Sequence, residues 1–222
     1  MADYGWEADA QRRDKVAAFP WNLQGYVFQE GVTVLIAAYH AASEALREEW
    51  ERAKEEAQAY QDGVDRGEIE WIGERDEDGS ILWDQEQVHD LEIESKVEGM
   101  AALRKAFALS IYHHWERGAR KWTGNDVNDH DKLVRAVEAI GIPISPRLKA
   151  VKDLANLLKH DNDKRGDDLL ESWPQVFRPG FKKGENRTDW YGAINLTDAQ
   201  LTEAFNIVAK SGPDEKTVYV SA

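Results

Sequence analysis

The sequence predicts an all-α fold: a bundle of two long antiparallel helices plus shorter C-terminal helices, with a small β-hairpin inserted at about 68–85. Three observations predict it. Apolar residues recur at three- and four-residue steps over two long stretches, which is the helical period. Between those stretches the period drops to two around an Asp-Gly turn. The remaining chain is cut by Pro, Gly and cap residues into short amphipathic pieces.

The first stripe is Val32, Leu35, Ile36, Tyr39, Ser43, Leu46, Trp50 and Ala53. It predicts a helix from about Tyr26 to Gln61, ended by Asp62-Gly63. Ile69 and Trp71, then Ile81 and Trp83, alternate with polar residues around Asp76-Glu77-Asp78-Gly79 and predict the hairpin. Val97, Met100, Leu103, Phe107, Ile111 and Trp115 predict a second long helix over about Gln85–Trp122, punctuated by Gly124-Asn125. A shorter helix is expected over Asp129–Ile140. Ser145-Pro146, a cap followed by Pro at the first helical position, should open the next one, which runs to about His160. Asp161–Gly166 reads as a turn, Asp167–Phe177 as a short helix and Arg178–Tyr191 as a loop. Thr197-Asp-Ala-Gln200 is a capping box for a last helix, Gly212-Pro213 stops it, and Thr217–Val220 predicts a final strand.

With 222 residues the chain is long enough to bury a core without staples. It has no cysteine, which excludes a disulfide framework, a thiol nucleophile and Cys-ligated metal. The N-terminus lacks a basic segment followed by an apolar run, and no stretch approaches a membrane span. A cytoplasmic protein is expected, with no membrane partner. The formal charge is −14. It is unevenly placed: residues 41–100 carry 20 acids and 6 bases, whereas residues 101–222 carry 17 acids and 19 bases. Charge runs are usually solvated faces; the sharper reading of 41–100 is a surface for a basic protein partner, or an inhibitor. The near-neutral half stays open to phosphate.

Most chemistry-bearing motifs are missing. There is no Gly-x4-Gly-Lys-Ser/Thr loop, no Gly-x-Gly-x-x-Gly after a strand and no Gly-x-Ser-x-Gly elbow. Glu86-x-x-His89 is one half of a di-iron pattern that needs a second copy. No cofactor or metal is expected. What stands out is Lys152, Asn156 and His160, spaced to share one helix face. A second cluster is His113, His114 and Glu116, followed by Arg117, Arg120 and Lys121. Each has a plain structural reading: His160 as a helix-end interaction, Glu116–Arg120 as an i,i+4 ion pair.

The segments Ala108-Leu-Ser-Ile-Tyr-His-His-Trp-Glu116 and Leu154-Ala-Asn-Leu-Leu-Lys-His160 resemble the HEPN (higher eukaryotes and prokaryotes nucleotide-binding) superfamily, in its bacterial branch. The resemblance spans about residues 90–175. In that branch a long helix carries an aliphatic–Tyr–x–x–aromatic or aliphatic–Glu pattern, and a later helix ends in Arg-Asn-x-x-x-His. The resemblance puts the Glu on Glu116, the Asn on Asn156 and the His on His160; the Arg falls on Ala155 and is missing. It implies a HEPN-like helical domain at 26–177, preceded by a polar arm (1–25) and followed by a C-terminal loop, helix and short strand (178–222).

What the resemblance implies is a toxin–antitoxin or antiviral-defence protein that binds RNA, acting as a homodimer. Many members cut RNA without metal: the His acts as acid or base at the ribose 2′-OH and the Arg steadies the scissile phosphate. Both roles suit those side chains. Glu116, Asn156 and His160 are then the candidate catalytic residues. Lys149, Lys152, Lys159, Arg117, Arg120, Lys121 and Arg165 are the candidate nucleic-acid contacts, with Lys164 beside them. The absent Arg implies that cleavage is weakened or lost. The alternative is a non-enzymatic acidic interaction module or inhibitor acting through residues 41–100.

Overall fold

The computed structural model describes residues 22–127, 129–184 and 188–216. It is mostly helical, with one two-stranded antiparallel sheet. Helix α1 spans Leu23–Asp65; Asn22 caps it by accepting the Gly25 N–H. It runs past Asp62-Gly63, where the sequence predicts an end. Gly63 serves a close approach instead: a Cβ there would lie 2.4 Å from Ile69 Cδ1. Its carbonyl accepts the N–H groups of Glu68 and Ile69. The left-handed glycine just beyond the helix end is Gly67, at φ +70°.

Strands β1 (Gly73–Arg75) and β2 (Ile81–Asp84) form the hairpin, with Gly73 opposite Asp84, Glu74 opposite Trp83, and a slip before the Arg75–Ile81 pair. Asp76 Oδ1 accepts the N–H groups of Asp78 and Ser80 across the turn. Ile69 and Trp71 lie before β1, so their alternation is not that of a strand. Ile69 folds back on Gly63, and Trp71 lies under the Arg75 guanidinium.

Helix α2 (Gln85–Thr123) starts on Asp84, whose side chain accepts the Gln87 N–H, and ends on left-handed Gly124. Facing pairs show that α1 and α2 are antiparallel. Phe28 meets Trp122, Tyr39 meets Phe107, Glu49 meets Lys96 and Tyr60 meets His89. Short helices then pack on the Trp122 end of this pair: α3 (His130–Ala139), α4 (Leu148–His160), α5 (Asp163–Ser172), a 3₁₀ turn (Pro174–Val176), α6 (Trp190–Ala193) and α7 (Asp198–Ala209).

Three boundaries here differ from the sequence expectation. Helix α4 starts at Leu148 rather than at Ser145-Pro146. The Ser145 carbonyl accepts the Leu148 N–H, closing a turn before the helix, while its own N–H is held by Ser211 Oγ. The Asp161–Gly166 segment is mostly helix, because Asn162 caps α5 by accepting the Arg165 N–H. The expected loop ends at Trp190, where α6 begins. The capping box at Thr197–Gln200 forms with both of its bonds. The expected strand at 217–220 lies outside the described residues, as do residues 1–21 of the expected N-terminal arm; Asn22–Gly25 belong to the α1 cap and first turn.

The core gathers Trp115, Trp173, Trp190, Ile111, Leu154 and Leu157 with residues of α3 and α7. Buried indoles need a partner for their N–H: Trp115 donates to the Ser211 carbonyl (2.6 Å) and Trp190 to Asp163 Oδ1 (2.7 Å). Among the described residues, no helix is long and apolar enough to cross a membrane.

Candidate functional site

Helices α2 and α4 pack with their apolar sides together, which leaves a polar furrow along the seam. Ile111 and Trp115 of α2 and Leu154, Ala155 and Leu157 of α4 are buried. One helical step away, His113 and Glu116 face Asn156 and Lys159 across the furrow. Two adjoining cavities make it up, of about 480 and about 1020 Å³, and they share Leu109, His113, Glu116, Asn156, Lys159 and Arg165.

The larger cavity brings together Glu116, Asn156 and His160, with Arg117, Arg120, Lys159 and Arg165 on the same walls. The smaller is lined by Lys152 and Lys164, and by Asp129, His130 and Asp131 at the start of α3. Two candidates lie elsewhere. Lys121 lines a separate, more apolar cavity with Leu23, Val27, Phe28 and Trp122. Lys149 lines none of these cavities and binds Asp153 Oδ2 at 2.8 Å.

Glu116 is the hub of the α2 wall. Its Oε1 accepts from Arg120 Nη2 at 2.9 Å, and its Oε2 lies 3.2 Å from His113 Nδ1. The i,i+4 ion pair therefore exists and also faces the cavity. Across the furrow, the Asn156 amide and the His160 imidazole make no side-chain hydrogen bond among the described residues. His160 is exposed at the C-terminal end of α4. Ala155, where the resemblance places Arg, is buried and offers no charge. The guanidinium groups of this cavity come instead from α2 and α5.

Asp153 anchors the α4 wall from behind. It is buried and accepts from Lys149 and from Lys152 (2.7 Å). Burial alone would raise its pKa, but these two ammonium groups outweigh it and hold the carboxyl below its ordinary value. The pairing fixes Lys152 beside the furrow.

Sequence reasoning passed over His130 and Tyr112. The Tyr112 hydroxyl and His130 Nδ1 are 3.0 Å apart at the edge of the smaller cavity. Burial, and then the charge of Lys152, push the His130 pKa down, and burial pushes that of Tyr112 up. Both groups are thus held neutral. No local signal pairs these two residues, since they sit on different helices; Tyr112 does occupy the Tyr of the quoted α2 pattern. Glu86 and His89 line a small cavity between α1 and α2 with Gln58, Gln61 and Asp90. Among the described residues, no three His, Asp or Glu side chains gather as a metal site requires.

No family model matches the chain, and no curated protein or solved structure is significantly similar to it. The class that the fold and furrow define is a helical protein with a polar, partly cationic groove between two helices.

Proposed function

We propose that the chain is a HEPN-like protein of the toxin–antitoxin or antiviral-defence type that binds RNA in the α2–α4 furrow and cleaves it weakly or not at all. One observation carries this reading: Glu116, Asn156 and His160, separated by up to 44 residues in sequence, line one cavity together with four cationic side chains. Lys159, Arg165 and Arg117 supply charge for phosphate oxygens. His160 is the acid or base for the ribose 2′-OH, and the Asn156 amide is free to hydrogen-bond a substrate oxygen.

Attenuation follows from position 155. Ala155 brings no charge to the phosphate, and Arg120, which has reach from α2, is already engaged by Glu116. Loss of a preorganised charge at a developing anion lowers rate by about 10²–10³. The homodimer implied by the resemblance belongs to the same reading, because a second copy over the furrow adds its own cations around one phosphate.

The test is incubation of the purified protein with single-stranded RNA in chelator. Binding should weaken as salt rises. Lys159→Ala with Arg165→Ala should weaken binding further. His160→Ala should abolish any slow cleavage while leaving binding largely intact. Wild-type protein that neither retains nor cuts RNA would sink the reading. Sedimentation velocity reads the dimer.

A further inference from the structure

The distal half of the α1–α2 pair is built unlike the rest of the molecule. No member of the hydrophobic core lies between residues 40 and 102. From 41 to 100, only Ala53, Gly63 and Asp84 are buried. Yet this segment is not polar throughout. Ile72, Ile81, Leu82, Trp83, Val88 and Leu91 are all exposed, Leu82 at 57% and Leu91 at 67%. Ile72 immediately precedes β1, Ile81, Leu82 and Trp83 lie on β2, and Val88 and Leu91 lie in the first two turns of α2, which follows β2 directly in the chain. Large apolar side chains left exposed this close together in the chain point to an interaction site rather than a solvated face.

The charge around them selects the occupant. Residues 66–95 carry 11 acids and 2 bases. Both bases are already committed: Arg66 pairs with Glu68 at 3.0 Å, and Arg75 donates to the Gly79 carbonyl and covers Trp71. A second copy laid on the same patch would set like charge against like charge. RNA and anionic lipid surfaces are repelled for the same reason. A polypeptide with Lys or Arg flanking an apolar stripe satisfies both the charge and the exposed side chains.

We infer that the hairpin and the start of α2 form a docking surface for a basic amphipathic helix of a partner protein. This surface is independent of the furrow and of the RNA reading. The apolar residues give the contact its energy, and Glu92 and Glu94, which flank the Val88–Leu91 face of α2 at helical spacing, orient the partner.

Isothermal titration of the full chain tests it, with a synthetic peptide carrying Lys and Leu at helical spacing. The comparison is an isomer of identical composition, scrambled to destroy the apolar stripe. The periodic peptide should bind at low salt and weaken as salt rises. The scrambled isomer, and the Leu82→Ser/Leu91→Ser variant with the periodic peptide, should each bind about tenfold more weakly, as expected for losing one or two buried side chains. Because both leucines are largely exposed, an unchanged melting midpoint confirms that the variant folds. Glu92→Gln/Glu94→Gln should reduce the salt dependence. Equal binding of the two isomers would overturn the proposal, as would no binding or an unaffected leucine variant. So would a dimer in sedimentation that the leucine variant dissolves, since a second copy would then be the occupant. RNA retention by the leucine variant is expected to match wild type, which separates failure here from failure at the furrow.

Discussion

Two histidines flank the furrow region without reaching water fully, and their surroundings decide their protonation. His114 stacks on Phe28 and donates from Nε2 to the Phe28 carbonyl at 3.0 Å. Burial lowers its pKa, as burial and Lys152 lower that of His130. Below about pH 6.5 the unfolded chain takes up protons at these positions that the native chain refuses. Stability is therefore full above that pH and falls as pH drops toward the depressed native values. Thermal melts should show a lower midpoint at about pH 5.5 than at about pH 7.5, and His114→Gln/His130→Gln should flatten the difference. An identical pH slope in wild type and variant would show that these residues do not set it. His160, exposed at its helix end, is read directly from sequence. The Tyr112–His130 pair is not, because its two members come together only when α3 docks on α2.

Element boundaries were readable where both partners of a signal lie within one turn. The Thr197–Gln200 box is of this kind, whereas the first helix starts at Leu23 on an Asn22 cap, ahead of the expected Tyr26. They were misleading where a distant residue competes. Gly63 looks like a stop until Ile69 packs on it. The α4–α5 junction has the same logic. Gly166 lies inside α5, and Trp190 packs where a Cβ would be, 2.0 Å from the nearest indole carbon. Gly99, inside α2, has only Leu46 at 4.0 Å. Alanine gains up to about 1 kcal/mol in helix propensity at either site. At Gly99 that gain should stand, raising the melting midpoint. At Gly166 the overlap should outweigh it, for a net loss of about 1–3 kcal/mol as Trp190 is displaced. Denaturant melts of Gly99→Ala and Gly166→Ala check both signs.

Across the whole molecule, stability and charge are divided along the same line. The Trp122 end of the α1–α2 pair is wrapped by the short helices and carries the core, while the hairpin end carries the acid. Local opening free energy follows buried apolar contact. Amide exchange should therefore be fast along residues 44–60 and 86–100 and slowest along 108–122 and 148–157. Uniform protection over both long helices would show that the distal pair is held by something other than its own packing.

The sequence alone was enough for the helical class, the hairpin's place, the two long helices and the segregation of charge, because period, caps and composition are local properties of the chain. Helical spacing also put Asn156 and His160 on one face, and the HEPN resemblance joined Glu116 to them. Tertiary structure alone decided that those faces meet across one furrow, that Arg120 and Arg165 stand near it where position 155 is Ala, and that Lys121 and Lys149 point elsewhere. It also decided that the distal apolar residues have no core to enter. Such outcomes depend on how helices distant in sequence pack, and that is set by burial summed over the whole chain rather than by any one segment.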